Sequence, residues 1–311
     1  MIARFRSALE RCWDGEGRIG LAVSGGPDSM AMLWLAHAYM PDRIEVATVD
    51  HGLRAEAAQE AAMVALYCKT IGIPHQTLAV KVAGGNLQKA ARDVRYAALD
   101  GWMADRGLAV LATAHHADDQ AETLLMRLNR GSGVAGLAGV REVGNVPESS
   151  RPLIRPLLGW RREELASVCN AAGICTTDDP SNRDGTFDRV KIRNALSGAT
   201  WLDVEAIAAS ASHLADADHA LDWAADIEWQ DCIERGGETH IYRPTAPRAI
   251  RLRVLGRIFA EFGKTPRGAS IARLMAALEN GKGASLAGVV ATSSRGLWNF
   301  RAESGRRSED N

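Results

Sequence analysis

Cysteine is scarce in this chain of 311 residues: five in all, at positions 12, 68, 169, 175 and 232, an odd number with no Cys-x-x-Cys. That excludes a disulfide-stapled framework, a zinc ribbon and a dithiol redox motif, and makes a reducing cytoplasm the expected setting. Long apolar runs are missing as well. Leu108 to Ala114 is among the longest, far below the roughly 18 residues that a membrane helix needs. The first ten residues carry Arg4, Arg6 and Glu10 with no apolar core to them, so no secretory signal is expected. No Gly-x-x-x-x-Gly-Lys-Ser/Thr occurs anywhere, which removes Walker-type phosphate binding. Internal repeats are absent too.

What is present is an ordinary globular composition, 46% apolar and 24% charged, which rules out wholesale disorder. The length predicts about two domains, each able to bury a core of its own. A net charge of −1 conceals an asymmetry. Ile241 to Arg301 holds eleven Lys and Arg against Glu261 and Glu279, whereas Gly198 to Arg235 holds nine acids and one base. A basic segment of this size suits a polyanion, and Arg251, Arg253 and Arg257 are its first candidate contacts; a solvated Arg-rich surface is the alternative.

Short apolar runs alternate with helical patterns through the first 130 residues. Strands are expected at 19–23, 43–49, 75–80 and 108–113, and helices at 29–39, 56–71, 87–105 and 118–129. That alternation predicts βαβ units and a parallel sheet covered on both faces. Arg151 to Leu157, bracketed by Pro152 and Pro156, reads as a short edge or extended piece. A helix follows at 161–172, a polar loop at 177–188 and a long acidic helix from about 201 to 235, expected to space two lobes. The remaining basic segment is expected to be a small α/β module with a frayed tail from Ser304.

The sharpest local signal is Ser24-Gly25-Gly26-Pro27-Asp28-Ser29, directly after one strand and before one helix. A strand's carboxyl end in a parallel sheet is where ligands bind. Gly25 and Gly26 permit a tight turn and close backbone approach. The helix offers free N–H groups and a positive dipole end, both suited to phosphate, with Pro27 tolerated in its first turn. Ser24 and Ser29 add hydroxyls, and Asp28 can hold a divalent cation through hard oxygen. A capped helix start with two loop glycines is the plainer alternative.

This turn resembles the pyrophosphate-binding loop of the N-type ATP pyrophosphatases of the PP-loop superfamily. Further along, Asp50-His51-Gly52-Leu53-Arg54, Ala91-Arg92-Asp93-Val94-Arg95-Tyr96 and His115-His116-Ala117-Asp118-Asp119-Gln120-Ala121-Glu122-Thr123 resemble, in order, motifs of the tRNA(Ile)-lysidine synthetase family. Arg130-Gly131-Ser132-Gly133, Arg155-Pro156-Leu157 and Asp179-Pro180-Ser181-Asn182 match its later motifs. The likeness is dense over residues 19 to about 197 and looser around Gly281-Lys282-Gly283. It implies a Rossmann-like N-type ATP pyrophosphatase domain at 1–197, an acidic helical linker at 198–235 and a small basic tRNA-binding domain at 236–311, the shorter form of the family.

The activity so implied is ligation of L-lysine to the wobble cytidine of tRNA(Ile) with a CAU anticodon, through an adenylated cytidine, with ATP and Mg2+ consumed or bound and AMP and pyrophosphate released. A tRNA thiolase of the same superfamily and a non-catalytic tRNA-binding relative are the alternatives; a homodimer is compatible with either. By the same resemblance, Ser24 to Ser29 with Asp50 and His51 hold the nucleotide, and Asp28 holds the metal. Arg92 and Arg95 clamp phosphates or the adenylate, while Asp119 and Glu122, with His116, bind or deprotonate the lysine amine. Arg189 and Arg193, a helical turn apart, are candidates for nucleotide or tRNA phosphates.

The residues themselves leave other roles open. Asp118 or Asp119 suits an N-cap, Arg92 and Arg95 could form a solvated face with Asp93, and His115 with His116 could be metal ligands but lack a third one nearby. Phe187-Asp188-Arg189-Val190 departs from the family pattern, which usually shows Tyr before an Arg-Asn pair.

Overall fold

The computed structural model describes residues 1–52, 55–81, 87–177, 188–237 and 239–303. They form two units, Met1–Ala215 and Asp216–Asn311.

In the first unit, helix α1 (Ile2–Cys12) leads into β1 (Ile19–Ala22), α2 (Pro27–Tyr39), β2 (Ile44–Asp50), α3 (Ala55–Thr70), β3 (His75–Ala79), α4 (Leu87–Arg106), β4 (Val110–Ala112) and α5 (Ala117–Leu128). The short α6 (Val134–Leu137), β5 (Val143–Asn145), β6 (Pro152–Ile154), α7 (Arg162–Ala171) and α8 (Asp188–Gly198) follow. The sheet order is β3-β2-β1-β4-β6-β5, parallel except for β5 against β6. The α/β reading of the sequence is thus the observed one.

All four residues of β1 are buried, as befits a central strand covered on both faces. Phe5 and Leu9 of α1, Met30 and Leu33 of α2, Val64 and Cys68 of α3 and Leu165 and Val168 of α7 pack on one face of the sheet. The opposite face belongs to α4, through Tyr96, Leu99, Trp102 and Met103. Each such side chain contributes about 1.5–3 kcal/mol by leaving water. Gly20 makes the α4 packing feasible: a Cβ there would stand 2.6 Å from the Trp102 ring.

Two differences from the sequence reading have clear causes. The segment around Pro152 is not an edge. β6 lies between β4 and β5, and Pro152, its first residue, pairs with Asn145 at the end of the ladder, where a missing N–H is tolerated. The edge strand on this side is β5, whose polar, glycine-containing sequence hides its strand character. The amphipathic α1 was also not anticipated, although it buries Phe5, Ala8, Leu9 and Cys12 on one stripe.

Helix α9 (Val204–Cys232) follows the first-unit elements, and residues from Asp216 onward belong to the second unit. That unit continues with β7 (Ile233–Gly236), β8 (Thr239–Tyr242), α10 (Arg248–Glu261), α11 (Gly268–Glu279), β9 (Ala284–Leu286), β10 (Val289–Ser294) and β11 (Leu297–Ala302). Its sheet, β7-β8-β11-β10-β9, is wholly antiparallel. Val254, Leu255, Ile258 and Phe259 of α10 pack on it with Leu274 and Met275 of α11.

Here the opposite charges of the sequence meet. Arg253 pairs with Asp218 and, at 2.7 Å, with Asp222; Arg257 pairs with Asp226 at 2.5 Å; and Arg251 pairs with Glu279 at 2.8 Å. The three arginines singled out as polyanion contacts therefore hold their own module together, a correction that only the packing of α10 on α9 supplies. The tail from Ser304 lies outside the described residues.

Candidate active site

Chain direction brings the chemistry to one edge. In a parallel sheet every strand delivers its following loop to the carboxyl end, so the residues after β1, β2, β4 and β6 converge there.

After β1, Gly25 takes φ +92°, and a Cβ on it would lie 3.1 Å from the Thr177 hydroxyl; only glycine fits both demands. Gly26 caps α2 and Pro27 begins it. The Ser29 hydroxyl accepts from the Ser24 N–H at 3.1 Å, donates to the Gly26 carbonyl at 3.0 Å and stands 3.2 Å from the Ser24 hydroxyl. Thr177 closes the far side, donating its N–H to the Gly25 carbonyl at 2.9 Å. The turn is a rigid cradle with the α2 dipole beneath it, an arrangement suited to anions.

Asp28, in the first turn of α2, has one carboxylate oxygen buried without a partner. Its other oxygen lies 3.4 Å from Nε2 of His116. The same Nε2 is 3.6 Å from Asp119, and Nδ1 of His116 is 3.4 Å from Asp118. Burial disfavours the imidazolium, yet Asp118, Asp28 and Asp119 together outweigh that and raise its pKa to about 9. His116 is therefore a buried cation tying the turn to the start of α5.

That helix starts one residue earlier than expected, with His116 as N-cap: Asp119 reaches back to the His116 N–H at 3.1 Å. Asp118, suggested as a cap by its type, instead accepts from the Arg162 N–H at 2.8 Å and from the Arg161 guanidinium at 3.3 Å, joining α5 to α7. Burial pushes the Asp118 carboxyl up, but His116, Arg162 and Arg161 hold it far below its ordinary range. Asp119 is likewise held low, burial being overcome by His116 and Arg189.

Asp119 and Glu122 share one face of α5, as their spacing predicts, and α8 covers that face. Arg189 bridges Asp119 and Glu122 at 2.6 Å each, and Arg193 meets Glu122 at 2.7 Å. Arg162 adds a third cation, 3.7 Å from Glu122. The structure thus brings together two groups to which the sequence assigned separate partners, the acids to lysine and the arginines to phosphates.

His115 points the other way. Its Nδ1 lies 2.9 Å from the Thr113 hydroxyl, and burial, with Arg155 and Arg95 nearby, pulls its pKa down to about 3 despite Asp119. The two adjacent histidines therefore do not share a ligand, and among the described residues no group of three or more His, Cys, Asp or Glu is arranged to hold a metal ion.

Asp50 ends β2 and accepts from the Gly52 N–H at 2.9 Å. The Nδ1 of His51 is buried without a partner, and its pKa is lowered by burial and by Arg95. Arg92 and Arg95, on the second and third turns of α4, lie 5.0 and 5.9 Å from the centre of the Tyr96 ring. Leu53, Arg54, Asp179 to Asn182, Gly185 and Phe187 lie outside the described residues. Sequence reasoning passed over Arg161 and Arg162; their signal was present in the spacing of acids and bases across α5 and α7 but could not be read without knowing that these helices meet.

Residues 1–199 match the family described as the PP-loop domain. Over 312 aligned residues the chain is 47% identical to a tRNA(Ile)-lysidine synthase of Novosphingobium aromaticivorans, covering 99% of this chain and 95% of that protein. It is 40% identical to another of that name from Zymomonas mobilis, covering 91% and 88%. Among solved structures, the U34-tRNA thiolase NcsA from Methanococcus maripaludis superposes with a TM-score of 0.56 at 17% identity, covering 68% of this chain and 76% of that one. At that identity the likeness is one of fold.

Proposed function

Because the chain belongs to the tRNA(Ile)-lysidine synthase family of PP-loop proteins, we propose that it joins L-lysine to the wobble cytidine of tRNA(Ile) bearing a CAU anticodon, consuming ATP through an adenylated cytidine. It is a ligase that uses ATP and acts on tRNA. The observation that carries it is the buried His116 bridge, whose single Nε2 lies between Asp28 of the turn and Asp119 of the acidic pocket.

In the first step the cytidine O2 attacks the α-phosphorus of ATP, and the bond to the bridging oxygen of pyrophosphate breaks. Backbone N–H groups of the Ser24–Ser29 turn and the α2 dipole receive the departing charge. The unpartnered oxygen of Asp28 fits a hard divalent cation, and Mg2+ bound there would neutralise phosphate oxygens. Arg92 and Arg95 are the cations available to the adenylate, since neither has a carboxylate partner among the described residues.

In the second step an amine of lysine attacks cytidine C2 and AMP leaves. A free ammonium has a pKa of about 10.4, so its proton must first be held and removed. Asp119 and Glu122 are the carboxylates for that, and the incoming ammonium exchanges with the guanidinium groups of Arg189 and Arg193, one cation for another. Domain roles follow from this reading: catalysis in the first unit, tRNA contacts shared with the second.

Purified protein incubated with tRNA, ATP and radiolabelled lysine tests it. Label in the tRNA is expected. Modification that required a sulfur donor instead would restore the thiolase alternative, against which the spacing of the cysteines and the burial of Cys12, Cys68 and Cys169 already weigh.

A further inference from the structure

The carboxyl edge holds a second charged pocket on the α4 face, and among the described residues none of its arginines, Arg92, Arg95 and Arg155, is paired with a carboxylate. Strands β4 and β6 are paired in register, Leu111 with Leu153 and Ala112 with Ile154. Leu111 and Leu153 both pack under α4. Alternation then sends Thr113, His115 and Arg155 to that same face. The residues themselves agree: His115 bonds to Thr113, and Tyr96 of α4 is among the groups that act on the Arg155 guanidinium.

Arg155 is 7% exposed. Its Nη1 donates to the Arg141 carbonyl at 2.6 Å, while its Nε is buried with no partner. Burial lowers the pKa of both Arg155 and Arg95, with Arg92 adding like-charge repulsion. Arg92 is exposed, Arg95 half-buried and Arg155 buried, so the row of cations leads inward from the surface. A desolvated guanidinium without a counter-charge is costly unless an anion completes it.

The geometry points to Arg155, at the inner end of the row begun by Arg92 and Arg95, as the ligand of an RNA phosphodiester adjoining the base that reacts. The choice between phosphates rests on distance. The pyrophosphate cradle follows β1, and Arg155 follows β6, two strand spacings or about 10 Å across the sheet. The phosphates of one nucleotide occupy the cradle and its immediate surroundings; Arg155 stands beyond them, on the other face. An RNA strand whose base is seated between the two pockets presents its backbone phosphate there. Arginine suits the task because its planar fork binds phosphate by two parallel N–H donations.

This inference rests on the tRNA reading above, and its test separates the two. tRNA(Ile) is assembled with a single uncharged methylphosphonate at the phosphate 5′ or 3′ of the wobble cytidine, and binding to the intact wild-type chain is measured against salt. One of the two linkages is expected to weaken binding about tenfold and to reduce the salt slope by about 0.7. R155M should bind charged and neutral RNA alike, with R155K recovering part of the discrimination and the KM for ATP unchanged. Equal binding of all three RNAs by the wild-type chain would overturn the assignment, as would an R155M defect confined to ATP. Because the wild-type arm requires no variant, misfolding of R155M leaves the test decisive. Failure to incorporate lysine into unmodified tRNA would instead count against the proposed function, with the phosphate measurement still readable.

Discussion

His116 concentrates the electrostatics of the sheet's carboxyl edge in one side chain. Buried among Asp28, Asp118 and Asp119, its imidazole binds a proton with a pKa of about 9, against 6.5 in an unfolded chain. A raised value means that the stabilisation is fully present below pH 6.5 and disappears as the pH climbs through 9. The difference corresponds to about 3 kcal/mol. Thermal unfolding of the metal-free protein should therefore show a Tm that falls between pH 6.5 and 10, and H116Q should abolish most of that slope; a slope unchanged in H116Q would reject the assignment. Asp28 is the complementary case, an acceptor whose buried oxygen has nothing to accept from. D28N should slow pyrophosphate release by about a hundredfold while tRNA affinity, read by filter binding, stays near wild type.

Among the elements, the Ser24–Ser29 turn is the one whose geometry admits least substitution. Gly25→Ala places a Cβ at positive φ and against Thr177, costing about 1–3 kcal/mol of stability. Its effect on pyrophosphate release should exceed its effect on tRNA affinity, because the distortion is local to the cradle. Comparison of denaturant midpoints and turnover for G25A decides this; equal losses in both activities would mean that the turn supports the fold rather than the phosphates. Helices α5 and α8 behave as a matched pair, with the acids of one neutralised by the arginines of the other. Their sequence spacing, Asp119 to Glu122 and Arg189 to Arg193, was legible as two separate faces. That the faces meet was not, because pairing depends on the path of the chain from α7 into α8.

Across the whole chain, the net charge of −1 arises from blocks that partly cancel on folding. Arg253 and Arg257 are absorbed by Asp218, Asp222 and Asp226, so R253A with R257A should lower the Tm of the second unit by removing three ion pairs, one of them to a buried carboxylate. Lys264, Arg267, Arg273 and Lys282 are exposed, and on the proposed reading they are the residues of this unit that meet the polyanion. Neutralising these four should flatten the salt dependence of tRNA binding without a matching loss of Tm; the reverse pattern would show the charge roles to be exchanged. The strand–helix alternation, the Ser24–Ser29 turn and the acidic and basic blocks are local in sequence, set by periodicity, backbone allowance and composition, and so could be read along the chain. The placement of β6 inside the sheet, the division of His115 and His116 between its faces, and the seating of Arg189 on Asp119 depend on contacts between residues dozens of positions apart. Such contacts exist only once burial of apolar surface has chosen which helix covers which strand.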